Sequence, residues 1–185
     1  YDQLDNKQID KIKNWIEDGN TLITIAKGSS WAIDSDLINE TLVKSINDTT
    51  YSRKRYVDAS EHIGRERIGG VILNADLDLT HPLAFGYHDK SIPVYKNNNV
   101  FINKTKNDYS SVAIYSEDFH IDGYISELNR KEFIPGAASL IVSNVGSGRV
   151  IVFADNPNFR GTWYGTNKLF LNAIFLGDNI SVPSK

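Results

Sequence analysis

Three stretches of this 185-residue chain predict an α/β fold. Val150, Ile151, Val152, Phe153 and Ala154 form a continuous apolar run, too short for a free helix and bounded by Gly148 and the breaker Asp155-Asn156-Pro157. Such a run reads as a strand buried on both faces. Leu169, Phe170, Ala173, Ile174 and Leu176 then recur at helical spacing and stop at Gly177, a residue type that ends helices at least cost. Near the other end, a helical stripe at Ile9, Ile12 and Ile16 closes at Gly19 and leads into the apolar run Thr21 to Ala26. That is half of a βαβ unit, and its first strand is expected upstream of Tyr1. The sum is a sandwich with a mixed, mainly parallel sheet, an antiparallel hairpin towards the carboxyl end and helices on both faces.

Taken in order, Asp5 or Asn6 caps the first helix, and Trp15 widens its apolar stripe. Thr21 to Ala26 alternates too little to be half exposed and is expected to be a second buried strand, with Lys27-Gly28-Ser29-Ser30 as the turn at its carboxyl end. Leu37, Ile38, Leu42, Val43 and Ile46 predict an amphipathic helix ending near Asn47. Residues 48–67 show no period and read as a polar insertion. Ile68 to Leu73 is the next strand, Asn74 to Pro82 a loop, and Leu83 to Tyr87 a short turn or helical piece, because Pro82 presets its first residue. Ile92 to Tyr95 and Val100 to Ile102 are short strands on either side of the turn-forming Asn97-Asn98-Asn99. Ser111 to Tyr115 is another strand, and Ile121 to Asn129 a helical turn before the Pro135-Gly136 break. Ala138 to Ser143 and Arg149 to Ala154 flank Gly146-Ser147-Gly148, a hairpin signature.

With 41% hydrophobic residues the chain buries one core, so residues 1–185 read as a single domain. Its lack of cysteine removes thiol nucleophiles, thiolate metal sites and disulfides together. The chain also has no methionine, which predicts a processed or excised piece of a longer protein. A net charge of −3 argues against a nucleic-acid partner. The basic cluster Arg53, Lys54, Arg55, Arg65 and Arg67 is interleaved with Asp58, Glu61 and Glu66, as on a solvated surface. No apolar run reaches the length of a membrane span.

The loop from Asp155 to Asn167 is the candidate binding site, because open α/β sheets place ligands beyond the carboxyl ends of their central strands. It carries Asp155, Asn156, Asn158, Arg160, Trp163, Tyr164 and Asn167. Arg160 is the expected charged contact, Trp163 and Tyr164 the stacking contacts, with a peptide or a saccharide as ligand. The competing reading is that these groups hydrogen-bond the loop to itself and cap the next helix. Ser29 and Ser30 stand where a hydrolase presents a nucleophile at a strand-to-helix turn, although serine at a helix start is more commonly a cap. Asp76-Leu77-Asp78-Leu79-Thr80 matches the DxDxT pattern of haloacid-dehalogenase-type phosphohydrolases, but that motif normally opens its domain, whereas here two helices and two strands precede it. The expectation is that Asp76 and Asp78 bracket a turn. His62, His81, His88 and His120 form no HxxE or HxxxH pair, so no metal site and no cofactor are expected in this chain. Gly146-Ser147-Gly148-Arg149 lies between strands, without the helix a dinucleotide loop requires. Trp31, Trp163, Tyr164 and Tyr124 offer material for an aromatic platform.

The segments NWIEDGNTLITIAKGSSWAI, GGVILNADLDLTHPLAFGY and GSGRVIVFADNPNFRGTWYGTNKLFLNAIFLG resemble the carboxyl-terminal domain of secreted zinc carboxypeptidases of Bacteroidetes-type bacteria. The resemblance covers most of residues 5 to 177 and is most specific in the third segment. It implies a flavodoxin-like sandwich similar to class I glutamine amidotransferases, with its first strand upstream of Tyr1. In active amidotransferases a cysteine occupies the turn that here reads Ala26-Lys27-Gly28-Ser29, so amidotransferase chemistry is not expected. The resemblance further implies a periplasmic or secreted location, zinc only in the peptidase domain of the parent, and that domain as a partner. The resulting expectation is an accessory, non-catalytic domain. A hydrolase using Ser29 or Ser30, or a phosphohydrolase using Asp76 and Asp78, is the alternative.

Overall fold

The computed structural model describes residues 4–44, 55–59, 64, 65 and 67–184. The expected helix end near Asn47, His62 and most of the insertion at 48–67 lie outside them. The fold is mixed α/β. Helix α1 runs Asn6–Glu17 from the cap Asp5, whose carboxylate accepts the Gln8 N–H while the Gln8 side chain accepts the Asp5 N–H. This capping box satisfies two amide groups that the first turn leaves open. Ile16 is the buried member of the stripe, whereas Trp15 stays half exposed and does not widen it.

Strands β1 (Thr21–Ile25), β2 (Val71–Leu77), β3 (Ser91–Lys96), β4 (Ser111–Gly123), β5 (Ala138–Val145) and β6 (Gly148–Phe153) form one sheet in the order β1-β6-β5-β4-β2-β3. Among the described residues only β1 and β6 pair in parallel, Thr21 opposite Arg149, and the other four pairings are antiparallel. The sheet is therefore mixed but not mainly parallel. A parallel neighbour needs a helical crossover, and between β2 and β6 the chain makes only 3-10 and π turns. β1 is an edge strand and mostly half-buried, not fully buried as its apolar run suggested. β6 has no exposed residue: Ile151 and Phe153 face one core, Val150, Val152 and Ala154 the other. A turn at Gly146 and Ser147 joins β5 to β6 beneath the end of α1, and a side chain at Gly148 would run into the Ile16 carbonyl.

The helix expected over Leu37 to Asn47 does not form in its described part. Helix α2 (Lys27–Asp34) starts ten residues earlier, directly after β1, and Asp36 turns the chain with φ 53°. Leu37 and Ile38 are buried in irregular backbone, and Leu42 bridges Ile102, so these apolar residues are covered by a short antiparallel crossing. The strand expected over Val100 to Ile102 is reduced to that same bridge. β2 is displaced towards the carboxyl end relative to Ile68–Leu73 and takes in Asn74 and Asp76, on its less buried face. β4 continues through Gly123 where a helical turn was expected from Ile121, and a π turn at Asn129–Phe133 follows. Helix α3 (Tyr164–Leu176) lies on the larger core through Leu169 and Ala173, while α1 and α2 cover the smaller core on the opposite face.

Candidate functional site

β1 passes into α2 through a single strained residue. Ala26 has φ 51° and ψ −116°, its N–H donates to the Phe153 carbonyl at 2.8 Å, and its own carbonyl accepts the N–H groups of Ser29 and Ser30. Non-glycine residues rarely hold this conformation, and where they do it is often at sites that present a group to a ligand. The turn was expected at Lys27 to Ser30, and those residues are instead the first turn of the helix. Beside them lies an open cleft of about 890 Å³ between α1, α2 and the Asn97–Asn99 loop, lined by Lys27, Ser30, Trp31, Asp34, Asn98 and Val100 among others.

The two serines differ in their commitments. Ser29 is fully buried, and its hydroxyl donates to the Phe153 carbonyl at 2.7 Å and lies 3.1 Å from the Thr24 hydroxyl, pinning α2 to the sheet. Ser30 reaches the cleft, with its hydroxyl bonded to the Lys27 carbonyl at 3.0 Å. No described histidine lines that cleft. His81 Nδ1 accepts the Leu83 N–H at 3.1 Å, and the His120 ring meets the Gly123 carbonyl. Burial pushes the His81 imidazole below its ordinary pKa, against the pull of Asp78.

A buried polar network that no sequence motif announced ties the far strands together. Lys96 is fully buried and its Nζ donates to Asp155 Oδ1 at 3.0 Å, to the Val100 carbonyl at 2.6 Å and to Asn98 Oδ1 at 3.4 Å. Asp155 Oδ2 accepts the Tyr115 hydroxyl at 2.6 Å and the Ser139 hydroxyl at 2.9 Å. Phe101 lies against the ammonium, its ring centre 4.5 Å away. Burial pushes the Lys96 ammonium down, and Asp155 pulls it back; burial also drives the Tyr115 phenol well up. The three Lys96 donors all have partners, so the ammonium holds structure and has no free donor for a substrate. Its signal was available: Ile92, Val94 and Lys96 share one face of β3 by strand period.

The Asp155–Asn167 loop spends most of its polar groups on itself. Asn156 Oδ1 accepts the Asn158 N–H at 3.0 Å, Asn158 Oδ1 accepts the Asn167 amide at 2.6 Å, and Thr166 donates to the Pro157 carbonyl. Phe159 stacks on Tyr95, and Trp163 Nε1 donates to the Pro93 carbonyl at 3.1 Å on the edge strand β3. Arg160 is exposed with φ 52°, and Tyr164 is exposed. The four aromatics singled out from sequence occupy separate places. Trp31 walls the α1–α2 cleft, Trp163 seals β3, Tyr164 opens α3, and Tyr124 follows β4.

Asp76 and Asp78 line a second cleft of about 890 Å³ with Lys90, Ser116 and Glu117. They do not bracket a turn, because Asp76 lies inside β2. Asp76 accepts the Ser116 hydroxyl at 2.7 Å and pairs with Lys90 at 3.3 Å. The Ser116 hydroxyl holds its carboxyl below the usual range, with help from Lys90 and against slight burial. Asp78 Oδ1 accepts both the N–H and the hydroxyl of Thr80. Burial works to raise that carboxyl, but Thr80 and His81 outweigh it and leave it lowered. Among the described residues no group of three or more histidine or acidic side chains could hold a metal ion, and no helix is long and apolar enough to cross a membrane.

No protein-family model and no curated protein matches the sequence. Among solved structures, the chain is similar to a putative GMP synthase component from Thermoplasma acidophilum, with 13% identity and a TM-score of 0.47 over 94% of this chain and 65% of that one. It is also similar to a cytoplasmic protein from Salmonella typhimurium, with 12% identity and a TM-score of 0.47 over 93% of this chain and 61% of that one. The chain therefore spans less than two thirds of the length of either.

Proposed function

We propose that this chain is an accessory, non-catalytic domain of flavodoxin-like, amidotransferase-like architecture, which acts by docking and not by chemistry. Ala26 carries the reading. A strained strand-to-helix turn is the device by which α/β enzymes hold a nucleophile above the sheet, and here that turn bears a methyl group. Ser29, three residues on, has its hydroxyl committed to the backbone under the helix. No described histidine stands beside Ser30 in the cleft, and a serine hydroxyl without a base is a poor nucleophile. The sequence resemblance supplies the setting: an exported zinc carboxypeptidase, periplasmic or secreted, whose peptidase domain carries the metal and is the partner of this one.

One observation favours the phosphohydrolase alternative, namely that Asp76, Asp78 and Lys90 share a cleft. Against it, both carboxylates are already held by neighbouring hydroxyl groups. Labelling the chain with a fluorophosphonate and mapping adducts by mass spectrometry tests the docking reading, together with assays for glutaminase and esterase turnover. No adduct and no turnover above buffer are expected. A stoichiometric adduct on Ser29 or Ser30, or glutamine hydrolysis, overturns it.

A further inference from the structure

Helix α3 is apolar on the side that faces the core and apolar again on the side that faces away. Thr166, Leu169 and Ala173 are buried on the inner side, while Leu171, Ile174 and Phe175 are exposed, Phe175 by 75%. A helix hydrophobic all round is ordinarily covered all round. The outer stripe also has a definite period. Tyr164, Lys168, Leu171, Phe175 and Asp178 are separated alternately by four and three residues, the spacing of a seam between two packed helices. Phe85 enlarges the patch, since Asn172 bonds the Leu83 and Phe85 carbonyls and leaves the Phe85 ring 74% exposed beside the helix. Three exposed aromatics, an isoleucine and a leucine offer roughly 600 Å² of apolar surface, at 150–250 Å² per aromatic. That is at the upper end for the largest patch on a monomer and most of the roughly 800 Å² that one partner of a stable interface buries.

We infer that this stripe is a homodimer interface in which α3 packs antiparallel on α3 of a second copy. The charges choose that occupant. The stripe carries a cation near its amino end, Lys168, and an anion just past its carboxyl end, Asp178, both exposed. A twofold axis midway between Leu171 and Phe175 sets Leu171 of each copy against Phe175 of the other and brings each Lys168 to the opposite Asp178. The parallel arrangement would set like charge against like and align the helix dipoles unfavourably. Both groups have capacity to spare. Lys168 Nζ uses one donor on the Gly86 carbonyl, and Asp178 uses one oxygen on the Thr21 hydroxyl. The resulting contact is isologous and closed. It does not depend on whether the domain is catalytic.

Sedimentation equilibrium on the full 185-residue chain tests this, and a dimer is expected. Phe175→Glu is expected to give a monomer with an unchanged thermal melt below the association range, because the ring touches little within its own chain. Lys168→Glu or Asp178→Lys alone is expected to weaken the dimer roughly tenfold, since the reversal is repeated on both sides of the axis. The two together are expected to restore it. A monomeric wild type overturns the proposal, whether or not the patch then proves to seat another domain. So does a dimer indifferent to Phe175→Glu, or one that the double reversal fails to rescue.

Discussion

Lys96, the last residue of β3, and Asp155, two residues past β6, meet at 3.0 Å although three other strands lie between β3 and β6 in the sheet. The sheet must curl for this to happen, and the ion pair with its two hydroxyl partners closes the curl from inside. Removing one charge strands the other in the core, so Asp155→Ala or Lys96→Met alone is expected to cost about 3–5 kcal/mol in urea unfolding. Replacing both, as Lys96→Met with Asp155→Leu, is expected to recover much of the loss, because the pair also carries the desolvation cost of two ions. A double variant no better than the singles would show that the Tyr115 and Ser139 hydroxyl groups, left without their acceptor, decide the balance.

Relieving the strain at Ala26 is expected to stabilise the fold. Glycine adopts positive φ without the penalty that a Cβ incurs. Ala26→Gly is therefore expected to raise the unfolding free energy by about 1 kcal/mol, less the extra entropy of an unfolded glycine. A drop in stability would mean that the methyl packs well enough to offset the strain.

Trp163 donates to the Pro93 carbonyl on the edge of the sheet. Trp163→Phe keeps an aromatic ring there but loses the donor to Pro93, and about 1 kcal/mol of destabilisation is expected. Arg160→Ala, at an exposed position, is expected to change stability by less than about 0.5 kcal/mol. Chemical denaturation of the two variants side by side separates scaffold from surface in this loop.

Acid is expected to weaken the fold through His81 before it acts on the carboxylates. Its ring accepts the Leu83 N–H only when neutral, and its folded pKa lies below the unfolded value. The folded state thus binds fewer protons than the unfolded one below about pH 6.5, and stability falls as pH drops through that value. Asp76 and Asp78, also lowered, add to the loss only nearer about pH 4. Thermal melts from pH 8 to pH 5 are expected to slope downward, and His81→Asn, which retains a cap acceptor, is expected to flatten the slope.

Magnesium-dependent turnover of phosphate monoesters is expected to be absent. Turnover that disappears in Asp76→Asn would revive the reading of Asp76 and Asp78 as a phosphotransfer pair.

The sequence revealed those elements whose residues meet one environment along their length. The run Val150 to Ala154 is buried on both sides, and the Asp5 cap acts locally, so both were legible. The helix expected from Leu37 was not, because helical spacing also suits irregular backbone that buries Leu37 and Ile38 and sends Leu42 to Ile102. Strand direction was misjudged because the order β4-β2-β3 depends on contacts between segments distant in sequence. At the candidate site, the serines were visible but the strain at Ala26 was not, since no side-chain pattern marks a backbone angle. Lys96 was overlooked because a lysine among polar neighbours reads as solvated until the strand period is followed to its end.

Among the described residues β6 is the parallel neighbour of β1, and Ser29 finds its carbonyl acceptor 124 residues further along the chain. On a ribosome adding roughly 5–20 residues each second, α1 and β1 therefore wait about 6–25 seconds before the strand that covers them is made. Throughout that interval β1 lacks the β6 strand that it pairs with. Production is then expected to respond to chaperones and translation speed, and a chain stopped short of Gly148 should be cleared by proteases even though α1 and β1 are already made.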